Sequence, residues 1–488
     1  MEAYEPLRTP CVHGLAIDTF SLESALMKET PFGPVLENVL EGIGKTPMVR
    51  VSNIDTGPCD LFLKLESNNP GGSIKDRIGV AMIEAAEREG KLKPGGTIIE
   101  ATAGNTGLAL ALVASQKGYK TIIVVPDKMA QEKIFHLQAL GADVRLTRSD
   151  VGKGHPDYYQ DMAERIAKET GAFYVNQFGN AANPKAHVDS TGPEILGQME
   201  NDVDAIVCGV GSAGTISGLS QFYREHSPKT EIILADPKGS ILADLINKGS
   251  IPNEVGSWLV EGIGEDFIPD IADLTFCKTA YTISDKESFA AARDLLKKEG
   301  VLGGSSSGTI LSAALKYCHE QKEKKRVVAF VCDRGEKYLS KMFNDYWMYD
   351  QGFITRAPKN DLTDLITRRH SERATITVSP DDTLMQAYGK MKLYDISQLP
   401  VLDSDGKISG LLDEEDLLFA VVRNREKFQD PVKSAMTYRV ETVDSDKPME
   451  DLLPIFAKGH VAVVLKDDLF EGLITRPDLL NYLRLQVS

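Results

Sequence analysis

Between Thr46 and Val331 the sequence alternates between short apolar runs and longer helix-like segments, and no other feature constrains the fold as much. The apolar runs lie at 61–66, 97–100, 121–125, 144–147, 205–208, 232–235 and 327–331, with helical spacing at 79–89, 105–117 and 130–140. Runs that are apolar on both faces need cover on both sides, and strands separated by helices pair in parallel. The pattern therefore predicts an α/β fold with a parallel sheet covered by helices.

Near Gln351 the pattern changes. Residues 352–372 are polar and basic, include Pro358, and suit a linker packed on the surface. Beyond it the segments 399–403, 408–412 and 415–418 match 461–465, 470–474 and 477–480, each half reading strand, turn, strand, helix. Such a tandem repeat predicts a C-terminal α+β pair with a cleft between its halves; a plain dimerisation module is the competing reading. The expected division is an extension over 1–38, a main domain over 39–350, a linker over 351–372, and repeat halves over 373–430 and 431–488.

Composition narrows the partners. A net charge of −16 over 488 residues argues against nucleic acid, which calls for a basic face. Met1–Leu22 lacks an apolar stretch flanked by basic residues, and no later window is apolar enough to span a bilayer, so a cytoplasmic chain with no membrane partner is expected. Cys11, Cys59, Cys208, Cys277, Cys318 and Cys332 lack paired spacing, as reduced thiols do. Cys11 and His13 form a lone candidate ligand pair, too little for a metal or haem site.

Four segments carry chemistry. Asn68-Asn69-Pro70-Gly71-Gly72-Ser73-Ile74-Lys75-Asp76-Arg77 ends one apolar run and opens a helix. Asp76 is placed to cap the following amides, and Lys75 falls at the helix mouth, where an amine can meet a phosphorylated aldehyde. Alone, it reads as a solvated lysine in a turn. Ala101-Thr102-Ala103-Gly104-Asn105-Thr106-Gly107 also follows a strand and opens a helix, so its amides can face an anion, and the Thr102 hydroxyl and Asn105 amide can orient a carboxylate or a ring oxygen. A well-capped helix start explains it as readily.

Gly209-Val210-Gly211-Ser212-Ala213-Gly214-Thr215 is a second anion cup. It satisfies Gly-x-Gly-x-x-Gly, and Asp236 ends the next strand where a ribose-binding acid would sit, so an NAD(P)-dependent oxidoreductase has to be weighed. Against that, several strand–helix units precede this loop, and Thr215 offers a hydroxyl suited to a phosphate monoester. The last segment, Gly303-Gly304-Ser305-Ser306-Ser307-Gly308, could place the Ser306 hydroxyl on a pyridine nitrogen. With Lys75 and both cups this makes a complete site for pyridoxal 5'-phosphate.

Taken together, these motifs, with Glu261-Gly262-Ile263-Gly264 and Phe267-Ile268-Pro269, resemble the fold-type II pyridoxal-phosphate enzymes over residues 40–350. The added repeat makes the whole chain similar to the cystathionine beta-synthases of the haem-independent type, whose repeat is a CBS-domain pair. The resemblance implies that Lys75 forms the internal aldimine and then acts as catalytic base. Asn105 would bond the cofactor ring oxygen, Gly211, Ser212, Ala213, Gly214 and Thr215 the phosphate, and Ser306 the ring nitrogen. Thr102, Ala103, Gly104, Thr106, Gln177 and Gly264 would hold the substrate.

The implied reaction joins serine, or an O-acylated serine, to homocysteine through an aminoacrylate, giving cystathionine in transsulfuration with hydrogen sulfide from side reactions. Cysteine synthesis from O-acetylserine and sulfide is the alternative, which the repeat disfavours. A homodimer is implied. Thr475-Arg476-Pro477-Asp478 matches a ribose-binding pattern, with Thr475 and Asp478 as the site for S-adenosylmethionine as a regulator; in the first half Asp413 replaces the threonine and Asp416 is retained. Three positions depart from the family: Ala103 stands for serine, Phe178 for tyrosine and Glu265 for tyrosine. The connection Lys466-Asp467-Asp468 is also shorter than is common. Cys11 and His13 are too close together to grip a haem from opposite faces, so none is expected.

Overall fold

The computed structural model describes residues 35–487 apart from positions 103, 128, 130, 153 and 253. Its first ten strands are β1 (Met48–Arg50), β2 (Asp60–Leu65), β3 (Thr97–Ala101), β4 (Lys120–Pro126), β5 (Asp143–Thr147), β6 (Phe173–Tyr174), β7 (Ala205–Gly209), β8 (Glu231–Pro237), β9 (Cys277–Ile283) and β10 (Arg326–Val331). They form a six-stranded sheet in the order β1-β2-β10-β7-β8-β9 and a four-stranded sheet in the order β5-β4-β3-β6. All neighbours run parallel except the antiparallel pair β1–β2.

Every apolar run expected as a strand in this region forms one. β3, β7 and β10 are buried along nearly their whole length, as strands covered on both faces must be. Three strands escape the pattern. β1 and β6 are too short to show a period, and β9 sits at a sheet edge where Lys278 and Thr282 interrupt its apolar positions.

Residue contacts divide the chain into two units, one running up to Ile283 together with Ile310–Arg334, the other comprising Ser284–Thr309 and the chain from Gly335 onward. In the first, helices Lys75–Arg88 and Asn105–Lys117 pack through Ile78, Met82, Leu110 and Val113. A side chain at Gly79 would begin 3.0 Å from the Ala109 Cβ, so the glycine permits the close approach. Beneath the Lys75 turn lies a buried ion network. The Arg77 guanidinium bonds both oxygens of Glu66 at 2.8 Å and both of Glu194 at 2.7–2.8 Å, and Lys64 reaches Glu194 at 2.8 Å. Losing one partner would strand a buried charge, so the network fixes the first turn of the Lys75 helix.

In the second unit, helix Asp285–Glu299 opens with a reciprocal cap between Ser284 and Glu287 and sets Phe289 edge-on to Trp347 and Phe353. The repeat contributes β11 (Gln398–Leu402), β12 (Ile408–Asp413), β13 (Thr442–Asp444), β14 (Ala462–Lys466) and β15 (Leu469–Ile474). The hairpins β11–β12 and β14–β15 shift register at matching places, after Val401 and after Val464. Helices Glu414–Val421 and Arg476–Val487 follow, so each half has the expected strand–turn–strand–helix order. Leu402 of one half packs with Val463 and Phe470 of the other.

One expectation needs correcting. The segment before the repeat does not simply lie on the surface: Leu362, Leu365 and Ile366 are core residues of the second half. A side chain at Gly472 would fall 2.5 Å from Ile366, so this strand accepts the incoming segment only as glycine. Polar neighbours hid those three apolar residues in the sequence. Among the described residues no helix is long and apolar enough to cross a membrane.

Candidate active site

Parallel strands deliver their following loops to one sheet edge, and ligands of α/β sheets bind at those carboxyl ends. Here β2, β10 and β7 are neighbours, and their ends lead to Lys75, to Cys332–Asp333 and to the 209–215 loop. The Lys75 turn is tied to the end of β10 by Ile74 N–H to Cys332 C=O at 2.8 Å and by Arg334 N–H to Gly72 C=O at 3.1 Å. Asp76 behaves differently from expectation. As the second residue of the helix it receives the Gly71 N–H at 2.6 Å, so it pins the glycine turn in front of Lys75.

The Lys75 side chain keeps some exposure in densely packed surroundings. Burial lowers its amine below the usual lysine range, against the opposing pull of Cys332, Glu265 and Asp333. A lysine so placed has more neutral amine available as nucleophile or base.

The 209–215 loop supplies the anion cup. Ala213 adopts left-handed backbone (φ 68°) just before helix Gly214–His226, a concave turn of amides at a helix mouth. Gly211 has no room for a side chain, since a Cβ would stand 2.7 Å from the Gly262 carbonyl oxygen; one at Gly214 would stand 1.8 Å from Asn183 Oδ1. Asn183 is fully buried and braces the loop, its Nδ2 donating to the Ser212 hydroxyl at 3.0 Å and to the Gln177 carbonyl at 2.8 Å. Thr215 Oγ1 sits 3.3 Å from His187 Nε2. Gly264 gives its N–H to the Val210 carbonyl at 2.7 Å and so supports this loop.

In the other sheet, β3 and β6 are neighbours, and their ends bring the 102–106 loop to Gln177. The Thr106 hydroxyl donates to Gln177 Oε1 at 2.7 Å, with both residues buried. Thr102 Oγ1 accepts the Gly104 N–H at 3.3 Å, and Asn105 Nδ2 donates to Asp333 Oδ2 at 2.8 Å. Ala103 lies outside the described residues, as do Cys11 and His13.

The sequence reading missed Asn183, His187, Glu100 and Asp333. Glu100, the last residue but one of β3, is a wholly buried carboxyl that accepts the Ala101 N–H at 3.0 Å and the Gln177 N–H at 3.2 Å, and burial pushes it up to about 8. A charged residue ending an apolar strand just before a glycine loop was the available signal.

Phe178 stacks at a tilt on Phe267, 5.4 Å between ring centres. Glu265 Oε1 lies 3.9 Å from where a Gly211 Cβ would be, and its carboxyl is pushed well above the usual range by burial and then by Asp266, with Lys75 pulling the other way. Ser306, in the Ser284–Thr309 segment, is buried as the second residue of helix Ser305–Glu320. Asp236 is fully buried, and its Oδ2 accepts the Ala243 N–H at 2.8 Å. Shut away from solvent, it is poorly placed to read a ribose, which counts against the oxidoreductase reading.

In the repeat, Asp478 accepts the Thr475 N–H at 2.8 Å, the Thr475 hydroxyl at 2.5 Å and the Thr367 hydroxyl at 2.8 Å. In the first half Asp413 and Asp416 cap each other, and burial and then the Asp413 charge raise the Asp416 carboxyl.

A lysine amine lowered by burial, a left-handed turn at a helix mouth and a loop too tight for side chains at Gly211 and Gly214 fit a phosphorylated aldehyde. Fold and site together define a pyridoxal-phosphate-dependent enzyme. The model of the family described as "Pyridoxal-phosphate dependent enzyme" matches residues 39–333, and that of the CBS domain matches 364–423 and 432–485. A cystathionine beta-synthase of Dictyostelium discoideum is 36% identical over 465 residues, covering 92% of each chain. A cysteine synthase of Staphylococcus aureus is 40% identical over 308 residues, covering 62% of this chain and 96% of its own. A hydrogen sulfide-producing enzyme of Fusobacterium nucleatum superposes with a TM-score of 0.58 at 38% identity, over 62% of this chain and all of that one. The chain belongs to the cystathionine beta-synthase family.

Proposed function

We propose that this chain catalyses β-replacement, joining L-serine to L-homocysteine to give L-cystathionine and water. The serine Cβ–O bond breaks and the thiol sulfur bonds to Cβ. What carries the reading is the Lys75 amine, lowered by burial at the mouth of its helix, on a turn tied to the end of β10. Bound there, pyridoxal phosphate supplies an electron sink for the charge left on the substrate α-carbon.

The remaining steps belong to side chains. Lys75 tethers the cofactor and, once displaced by the substrate amine, takes the α-proton at Nζ. The amides and hydroxyls of 211–215 hold the phosphate, Asn105 the ring oxygen, and Ser306 the ring nitrogen. Because serine, unlike aspartate, does not force that nitrogen to stay protonated, charge stays closer to the α-carbon, which favours expelling a β-substituent. Thr102, Gly104, Thr106 and Gln177 orient the substrate carboxylate, with Ala103, Phe178 and Glu265 toward the substrate mouth. Gly264, whose N–H is held by the Val210 carbonyl, joins the residues that hold the substrate.

Steady-state rates with serine and O-acetylserine, each against homocysteine and sulfide, test the assignment. The fastest turnover is expected with homocysteine as acceptor; a strong preference for O-acetylserine with sulfide would favour the cysteine synthase reading, to which the Staphylococcus relative points. The same proposal includes a cytoplasmic homodimer that needs no haem, and a Soret band in the purified protein would overturn the last point. It also places S-adenosylmethionine at Thr475 and Asp478 as regulator. Calorimetry showing neither heat nor a thermal shift would remove that part alone.

A further inference from the structure

His187 is 1% exposed and lies between two hydroxyls, with Nδ1 2.9 Å from Thr191 Oγ1 and Nε2 3.3 Å from Thr215 Oγ1. Burial, then the charges of Arg77 and Lys75, keep the ring neutral, so it carries a single N–H. Two arrangements are conceivable. If Nδ1 held the proton, it would donate to Thr191, and the Thr191 hydroxyl hydrogen would need another acceptor. Thr191 is fully buried, and no other partner accepts that hydrogen among the described residues. An unsatisfied buried donor is costly.

If Nε2 holds the proton, the one hydrogen left over is that of Thr215, at the helix mouth, where a phosphate would take it. Thr191 donates to Nδ1, Nε2–H donates to Thr215 Oγ1, and the Thr215 hydroxyl hydrogen is left pointing away from the ring. Thr215 is the second residue of the helix behind the anion cup. A phosphate monoester offers only acceptors there, so a threonine that gave its proton to histidine would present lone pairs to an anion.

We infer that His187 is a positioning residue that, locked by Thr191 as the Nε2–H tautomer, fixes Thr215 as a hydrogen-bond donor to the cofactor phosphate. The inference rests on the pyridoxal-phosphate reading. Its specific consequence is that His187 affects recognition of the phosphate and leaves recognition of the ring untouched.

The test strips the full-length protein of cofactor with hydroxylamine and titrates it with pyridoxal phosphate and, separately, with pyridoxal, which lacks the phosphate. In His187→Leu the preference for the phosphorylated form should fall about tenfold to a hundredfold, the worth of one charge-assisted bond, with pyridoxal affinity unchanged. His187→Gln, whose amide can still donate to Thr215, should recover much of it. In a Thr215→Val background His187→Leu should change the preference no further. Equal weakening of both ligands, or additive losses in the double variant, would overturn the inference by making His187 a packing residue. If His187→Leu does not fold, the His187→Gln and Thr215→Val comparison decides by the same ratio. A wild-type protein that binds pyridoxal as tightly as its phosphate would instead sink the cofactor reading.

Discussion

Two helix mouths treat a charged side chain in opposite ways. At the head of Arg476–Val487, Asp478 accepts three hydrogen bonds from its neighbours Thr475 and Thr367. At the head of Lys75–Arg88, the Lys75 amine has no hydrogen-bond partner among the described residues, and burial has lowered it. Both positions follow a strand and a turn. The first uses polarity to end a strand and start a helix; the second leaves a reactive amine without a hydrogen-bond partner among the described residues while Arg77, two residues on, is held by the carboxylates of Glu66 and Glu194. Rigid support beneath such an amine is what a covalent site requires.

Lys75→Ala should lower turnover by about a thousandfold or more, by removing both tether and base, with the thermal midpoint little changed. An unreactive structural lysine would give the opposite pattern. Next, Gly214→Ala would force a methyl onto the Asn183 amide. Overpacking of this kind costs about 1–3 kcal/mol, so a weaker titration with pyridoxal phosphate and a midpoint lower by several degrees are expected.

Glu100 sharpens the contrast through pH. Its folded pKa of about 8 lies above the unfolded value of 4.5, so below pH 4.5 both states are protonated and nothing is lost. As pH rises from there toward 8 the unfolded chain ionises while the buried group resists, and stability declines. Glu100→Gln should flatten that decline in denaturant titrations at pH 5 and pH 8. The smallest effect is in the repeat. Asp478→Ala should cost about 1 kcal/mol as a lost cap. Asp416→Ala should cost less, because burial and the Asp413 charge already disfavour the Asp416 carboxylate.

What the sequence made legible follows from length and periodicity. Helix Asn105–Lys117 begins and ends where its spacing predicts, because a glycine loop precedes it and Gly118, in left-handed backbone, stops it. The repeat halves were readable because a duplicated hairpin and helix compare with each other directly. β6, only Phe173–Tyr174, offers no period, yet it is what carries Gln177 to Thr106. Lys75 was visible because a proline and two glycines at a strand–helix junction are distinctive. His187 and Asn183 were not, since a polar residue in a polar helix looks solvated until its neighbours are known, and both are buried against Ser212 and Thr215. The buried core residues of 362–366 were masked for the same reason.

The central claim is that one amine carries the cofactor. Borohydride reduction of the purified holoenzyme, digestion and peptide mapping should find the pyridoxyl mass on Lys75. A label on any other lysine, or a coloured protein that yields no labelled peptide, would contradict it.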